Sequence, residues 1–129
     1  MVKKLLLPQE IETFYIIPAL RKYFAIFMKE AGMKQKDIAD ILMINTAAIS
    51  QYTSSKRGGK VEFKTDIITE IKLSAARITD RTSYMKETQR LLHHIRMTNT
   101  LCDIHRQFSA VPTHCEPKDM GCHTKTYSV

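Results

Sequence analysis

Four side chains late in the chain have the types and spacing to hold a soft metal ion. Cys102 and His105 lie three residues apart, so on a helix they share one face. Cys115 and Cys122 follow downstream. Three thiolates and one imidazole from Cys102, His105, Cys115 and Cys122 would suit tetrahedral zinc or an iron–sulfur cluster. Residues 101–123 are otherwise short of apolar side chains, so a bound ion would help to order them. The competing reading makes Cys102 a small buried hydrophobe and the rest of the set part of a frayed end. His93 and His94 are neighbours in the chain, so only one of them can face any given site; both read as solvated or packing residues.

A second group points to nucleic acid. From Gln35 to Tyr52 the pattern reads as two short helices, roughly 35–42 and 45–54, joined by a tight turn. Ile38, Leu42 and Ile49 fall inward, and Ala39 is small where the two helices must touch. Asn45 or Thr46 can cap the second helix. Thr46 offers a hydroxyl to a phosphate or a base edge, and Ala47 and Ala48 allow close approach to a groove floor or a thymine methyl. Ser50 and Gln51 point outward, and glutamine can bond adenine with two hydrogen bonds. Gln35 opens the first helix, where its side chain and backbone N–H can meet a phosphate. Lys56, Arg57 and Lys60, in a loop without an acid, would contact the DNA backbone.

The surrounding elements must hold this pair. Pro8, followed by Gln9, Glu10 and Glu12, suits a helix start. Ile11, Phe14, Tyr15, Ile17, Leu20, Phe24, Phe27 and Met28 then recur at helical spacing and read as core. Pro18 should kink or split that helix near Ile17, and Gly32 should stop it. Val61 and Phe63 anchor the chain after the basic loop. A helix is expected from Thr65 to about Thr79, with Ile67, Ile68, Ile71, Ala75 and Ile78 on one face. After a connection and cap at 80–83, another should run to about Asn99 with Met85, Leu91, Leu92 and Ile95 inward. Leu101 to Phe108 adds a short helical turn, and periodicity fades from Ser109. No strand is expected.

Composition agrees with a folded helical protein. The chain has 129 residues, 43% of them hydrophobic, with four Gly, four Pro and three Cys. A formal charge of +7 fits a polyanionic partner. The apolar run at 5–7 is too short for a signal peptide, and no window is long enough to span a bilayer, so a cytoplasmic location is expected. An odd number of cysteines in a reducing compartment favours metal ligands, redox thiols or packing over a disulfide framework. A Gly-rich phosphate loop, a His-Glu-x-x-His pair and a serine elbow are all missing, and an enzyme is not expected. No small-molecule substrate is evident.

Ile38 to Tyr52 resembles the helix-turn-helix of Cro/repressor-type (Xre-like) transcriptional regulators. The longer runs Ile17-Pro18-Ala19-Leu20-Arg21-Lys22, Ala48-Ile49-Ser50-Gln51-Tyr52 and Ser55-Lys56-Arg57-Gly58 are similar to a group of small archaeal and bacterial predicted regulators of that class. The resemblance covers about the first half of the chain. It implies an all-α, five-helix domain that reads duplex DNA, usually as a homodimer on a palindromic operator. It also implies a cysteine-rich C-terminal region with Cys-x-x-Cys pairs; this chain has Gln89 and Leu92 where one pair would fall. Another departure is Met43, which stands where the family has Gly in the turn. A left-handed backbone there would cost Met roughly 1 kcal/mol.

The organisation expected is therefore a DNA-binding helix-turn-helix domain over 1–63, a helical extension over 64–99 for dimerisation or linkage, and a Cys/His tail over 100–129. The function expected is sequence-specific transcription regulation, with the tail responding to a metal or a redox state. The alternative is a protein-interaction adaptor or antitoxin-like module that does not read DNA.

Overall fold

The computed structural model describes residues 4–54, 61–117 and 122, and among these the secondary structure is all helical. Pro8 opens helix α1, Pro8–Ile11, in the first turn where a missing N–H costs nothing. The Glu10 carboxylate accepts the Leu7 N–H at 2.9 Å and closes that end.

A π-helical turn, Glu12–Ile16, leads into α2, Ile17–Glu30. The disruption expected at Pro18 takes this form. Proline cannot donate to the preceding turn and its ring crowds the carbonyl four residues back, so a wider turn ahead of it relieves both problems. The Ile17 N–H accordingly reaches back five residues, to the Glu12 carbonyl.

The wider turn also corrects the inward stripe read from the sequence. One extra residue rotates the pattern, so Ile11, Glu12 and Ile16 are buried while Phe14 is 60% exposed. Farther along α2 the ordinary spacing resumes with Leu20, Phe24 and Met28 inside. Gly32 ends the helix as expected, at φ +95°. Its N–H donates to the Lys29 carbonyl and the Met33 N–H to the Met28 carbonyl, the paired bonds of a Schellman cap.

Helix α3, Gln35–Leu42, and helix α4, Thr46–Thr53, follow. Between them Met43 takes φ 57°, ψ 44°, a left-handed residue without glycine's freedom. The Ile44 N–H reaches the Ala39 carbonyl at 3.0 Å, so α3 ends in the same style as α2. The Met43 side chain is 56% exposed and contributes little packing. Met43→Gly should therefore stabilise the protein by about 0.5 kcal/mol, after glycine's greater freedom in the unfolded chain is subtracted. Urea unfolding of the two proteins checks this; an equal or lower midpoint for the glycine variant would show that the turn is not strained.

Helix α5, Thr65–Arg77, helix α6, Arg81–Met97, and helix α7, Thr100–Phe108, complete the chain. Val61 and Phe63 are buried ahead of α5, as expected of an anchor. Asp80 caps α6 by accepting the Ser83 N–H at 2.7 Å, while the Ser83 hydroxyl accepts the Asp80 N–H. The Ser83 N–H bond, with the Ser83 hydroxyl donating to the same carboxylate at 2.8 Å, holds the Asp80 carboxyl below its ordinary range. The contribution of this cap is present at neutral pH and is lost as acid protonates the folded form. The inward face of α6 is Tyr84, Thr88, Leu91, Leu92 and Ile95. Met85, expected inside, is 62% exposed, because the next position round a helix turns by about 100°.

Helix α2 sits centrally, packed on α3, α4 and α5; α6 packs on α3, α5 and α7; and α7 returns to α1. One apolar core runs through Ile16, Phe24, Ile38, Ile49, Ile67, Ile71, Leu91, Ile95 and Leu101. Side chains from all three expected spans enter it.

Polar contacts fix the arrangement around this core. Between α5 and α6, Arg90 donates to the buried Ser74 hydroxyl and pairs with Glu87 and Glu70. Burial alone would raise the Glu87 pKa, but hydrogen bonds from Ser74, Arg90 and Arg77 and the Arg90 charge outweigh it and lower it. Glu12 is buried and takes both Arg96 Nε, at 2.8 Å, and Arg96 Nη2, at 2.9 Å. The extended residues 4–7 are gripped from the other end of the chain. Ser109 Oγ accepts the Leu6 N–H at 2.8 Å, His105 Nε2 lies 2.6 Å from the Leu6 carbonyl, and the Ala110 N–H donates to the Lys4 carbonyl at 3.1 Å.

Candidate nucleic-acid interface

Helix α4 has two unlike faces. Ala48, Ile49 and Tyr52 are buried, at 4%, 0% and 5% exposure. Thr46, Ala47, Ser50 and Gln51 are exposed. The residues on each face recur at spacings of three and four, as a helix lying half-sunk on a core requires. Ala48 corrects one expectation. It shares the inner face with Tyr52, four residues on, so the alanine exposed here is Ala47 alone.

The cap of α4 is Asn45, whose Oδ1 accepts the Ala48 N–H at 2.7 Å. Thr46 thus keeps its hydroxyl for other partners and stands in the first turn. Behind α4, Ile38 and Leu42 are fully buried on α3 and Ala39 is 7% exposed. Gln35, in the first turn of α3, is half-buried, and Lys36 beside it is exposed. Lys56, Arg57 and Lys60 lie outside the described residues.

An open groove of about 900 Å³ borders α4, lined there by Thr46 of the exposed face and by Ala48 and Tyr52 of the inner one. Asn45 lines it ahead of α4, and Lys36, Asp37 and Asp40 line it from α3. Two further cations reach it from other helices. Arg21 comes from α2, its Nε donating to the Tyr84 hydroxyl at 3.0 Å. Arg81 comes from the first turn of α6, donating through Nη2 to the Asp40 carboxylate and through Nε to the Asp40 carbonyl, both at 2.9 Å. Sequence reasoning passed over Arg21, Lys36 and Arg81. Arg21 lay in a core helix and Arg81 in a helix cap, and nothing local brings either to α4.

Of the tail residues, Cys102 and His105 lie on α7, and Cys115 and Cys122 follow it. His105 is buried at 8% exposure, and its Nε2 is engaged by the Leu6 carbonyl. Cys102, Cys115 and Cys122 are partly buried and unbridged. Burial pushes the Cys102 thiol up, and neighbouring Cys122, Cys115 and Asp103 add to this against Arg106. Burial does the same to Cys122, with Cys115 and Glu12 adding and Arg96 opposing. Both thiols are thus protonated at neutral pH to a greater degree than a free cysteine.

Among the described residues no three His, Cys, Asp or Glu side chains are arranged to hold a metal ion. At His105 the Nε2 contact with the Leu6 carbonyl leaves Nδ1 as the ring nitrogen that could take a ligand role.

Among the described residues no helix is long and apolar enough to cross a membrane. Compared with known proteins, the chain matches no family model, no curated protein and no solved structure.

Proposed function

We propose that the protein is a sequence-specific, DNA-binding transcription regulator in which α3 and α4 form a helix-turn-helix and α4 enters the major groove. The observation that carries this reading is the division of α4. A sealed inner face of Ala48, Ile49 and Tyr52 fixes the helix, while Thr46, Ala47, Ser50 and Gln51 stand in solvent with short polar or methyl ends. Those are the side chains that can meet base edges without forcing the helix out of the groove. The net charge of +7 supplies attraction to the backbone.

In this reading Gln51 reads adenine, Ser50 and Thr46 meet a base edge or phosphate, and Ala47 touches a thymine methyl. Gln35 and the loop cations Lys56, Arg57 and Lys60 hold the backbone. Two copies, each presenting one α4, would read half-sites about one DNA turn apart. The tail adds the finer element: Cys102, Cys115 and Cys122 make the regulator responsive to oxidant, by loss of two electrons and two protons from a pair of thiols, or to a thiophilic metal.

A salt titration of the full-length protein on duplex recovered by selection from a random pool tests the reading. The logarithm of the affinity should fall linearly with the logarithm of salt, with a slope of about −0.9 per phosphate contact. Gln51→Ala should relax preference at one base pair by about 1–3 kcal/mol and leave the slope unchanged. Repeating the titration with zinc, and after oxidation, tests the sensing element. A flat salt response, or no binding, favours the protein-interaction module instead. Binding indifferent to zinc and oxidant removes the sensing element and leaves the DNA reading intact.

A further inference from the structure

The charges around the groove beside α4 are placed by three different helices, and one of them is deliberately opposed. Arg21 arrives on α2, Lys36 on α3 and Arg81 on α6, while Asp37 and Asp40 line the same groove from α3. Three cations against two carboxylates leave a small positive excess. Asp40 is the carboxylate in contact with a groove cation: it holds Arg81 at 2.9 Å, in an exposed pair. Exposed pairs of this kind contribute little to stability; the Arg81 bond to the Asp40 carbonyl closes the last turn of α3, and the carboxylate is not needed for it.

Resting on the DNA reading above, we propose that this groove seats a backbone phosphate of the bound duplex, and that Asp40 is a brake on it, partly cancelling Arg81. A guanidinium carries five N–H donors. The bonds of Arg81 to Asp40 use two, so the same side chain can donate to a phosphate without leaving Asp40. Arg21 is steadied in a similar way by the Tyr84 hydroxyl on its Nε. Both arginines are therefore held in place before DNA arrives, which lowers the entropy lost on binding. Thr46 belongs both to the groove and to the exposed face of α4. A phosphate in the groove would therefore set the depth and register of the reading helix.

The brake has a recognisable consequence. The carboxylate lies where a phosphate would approach, so it weakens attraction to every sequence alike and limits non-specific binding. Removing its charge should raise affinity, whereas removing an arginine next to a binding site ordinarily lowers it.

The test uses the full-length protein with the selected duplex and a random duplex of equal length. Asp40→Asn, which keeps shape and removes charge, should tighten binding to both duplexes several-fold and steepen the salt slope. Arg81→Ala and Lys36→Ala should each weaken binding to both by about tenfold at 0.1 M salt, with the slope shallower by about one. Adding Asp40→Asn to Arg81→Ala should recover part of the loss. Arg21→Gln, which keeps a hydrogen-bonding chain in the half-buried position, should act like Lys36→Ala. Thermal unfolding of each variant identifies any that fails to fold, and the surface pair Asp40→Asn and Lys36→Ala then decides. If the wild type binds with a normal salt slope and these variants match it, the groove holds no phosphate and the proposal falls alone. If the wild type does not bind DNA at low salt, the DNA reading falls and takes the groove with it.

Discussion

Arg96→Ala is expected to destabilise the protein by about 3 kcal/mol, lowering its thermal midpoint by roughly 10 °C. The effect is large because of what stays behind. Glu12 is 6% exposed, and both of its carboxylate oxygens are satisfied by the Arg96 guanidinium. Without that partner a carboxylate is left with neither water nor a counter-charge. The side chain of Arg96 is 36% exposed, which places the effect at the low end for a buried pair. Replacing both partners with apolar residues, Glu12→Leu with Arg96→Met, should recover most of the loss, since no isolated charge then remains. Urea unfolding of the single and double variants measures the difference. A single variant within 0.5 kcal/mol of wild type, taken as roughly the scatter of surface substitutions, would show that water reaches Glu12 freely.

The second large effect is expected at Phe24. Its ring is fully buried, and it meets Tyr84 edge-on with centroids 6.1 Å apart. That contact joins α2 to α6. Phe24→Ala should cost about 3–5 kcal/mol, from lost transfer energy and the cavity left in a core that cannot fully collapse. Folded domains are typically stable by only about 5–15 kcal/mol, so the variant should lose a large share of its stability. Phe24→Leu should restore much of the loss. A functional sign should accompany the cavity. Tyr84 would lose its packing partner, and the hydroxyl of Tyr84 is what holds Arg21 at the groove. At low temperature, where the variant stays folded, its duplex affinity should fall toward that of Arg21→Gln. Full duplex affinity in a folded Phe24→Ala protein would separate the core from the groove.

Much of the helical layout was legible because its signals are local. The apolar spacing of Ile38, Leu42 and Ile49 defines α3 and α4 directly, and cap chemistry narrowed the start of α4 to Asn45 or Thr46, of which Asn45 serves. Gly32 behaves as a stop for the same reason. The misses share a different cause. The π turn ahead of Pro18 inserts a residue that no 3.6-residue pattern anticipates, so Phe14 was read as core and Ile16 was not. Met85 was assigned by hydrophobicity, although Tyr84 and Thr88 hold the inward phase.

Long-range pairs were beyond reach. Glu12 and Arg96 are 84 residues apart in the chain, and Arg81 and Asp40 are 41 apart. Each of these residues looks like an ordinary surface charge on its own helix. The groove is hidden for the same reason: its cations come from three helices, and only packing brings them to one place. His105 adds another such pair: its Nε2 lies 2.6 Å from the Leu6 carbonyl, 99 residues away in the chain.

That contact has company. With Ser109 Oγ on the Leu6 amide and the Ala110 amide on the Lys4 carbonyl, the two extremities of the helical body are knotted to each other as well as to the core. The polypeptide is thereby closed into something like a hoop. Loosening either extremity releases the other, so fraying should spread in concert and not nibble from one side. Proteolytic trimming ahead of Leu6 would then be felt at α7, beside the thiols, which gives events at the beginning of the chain a route to the cysteines at its opposite end.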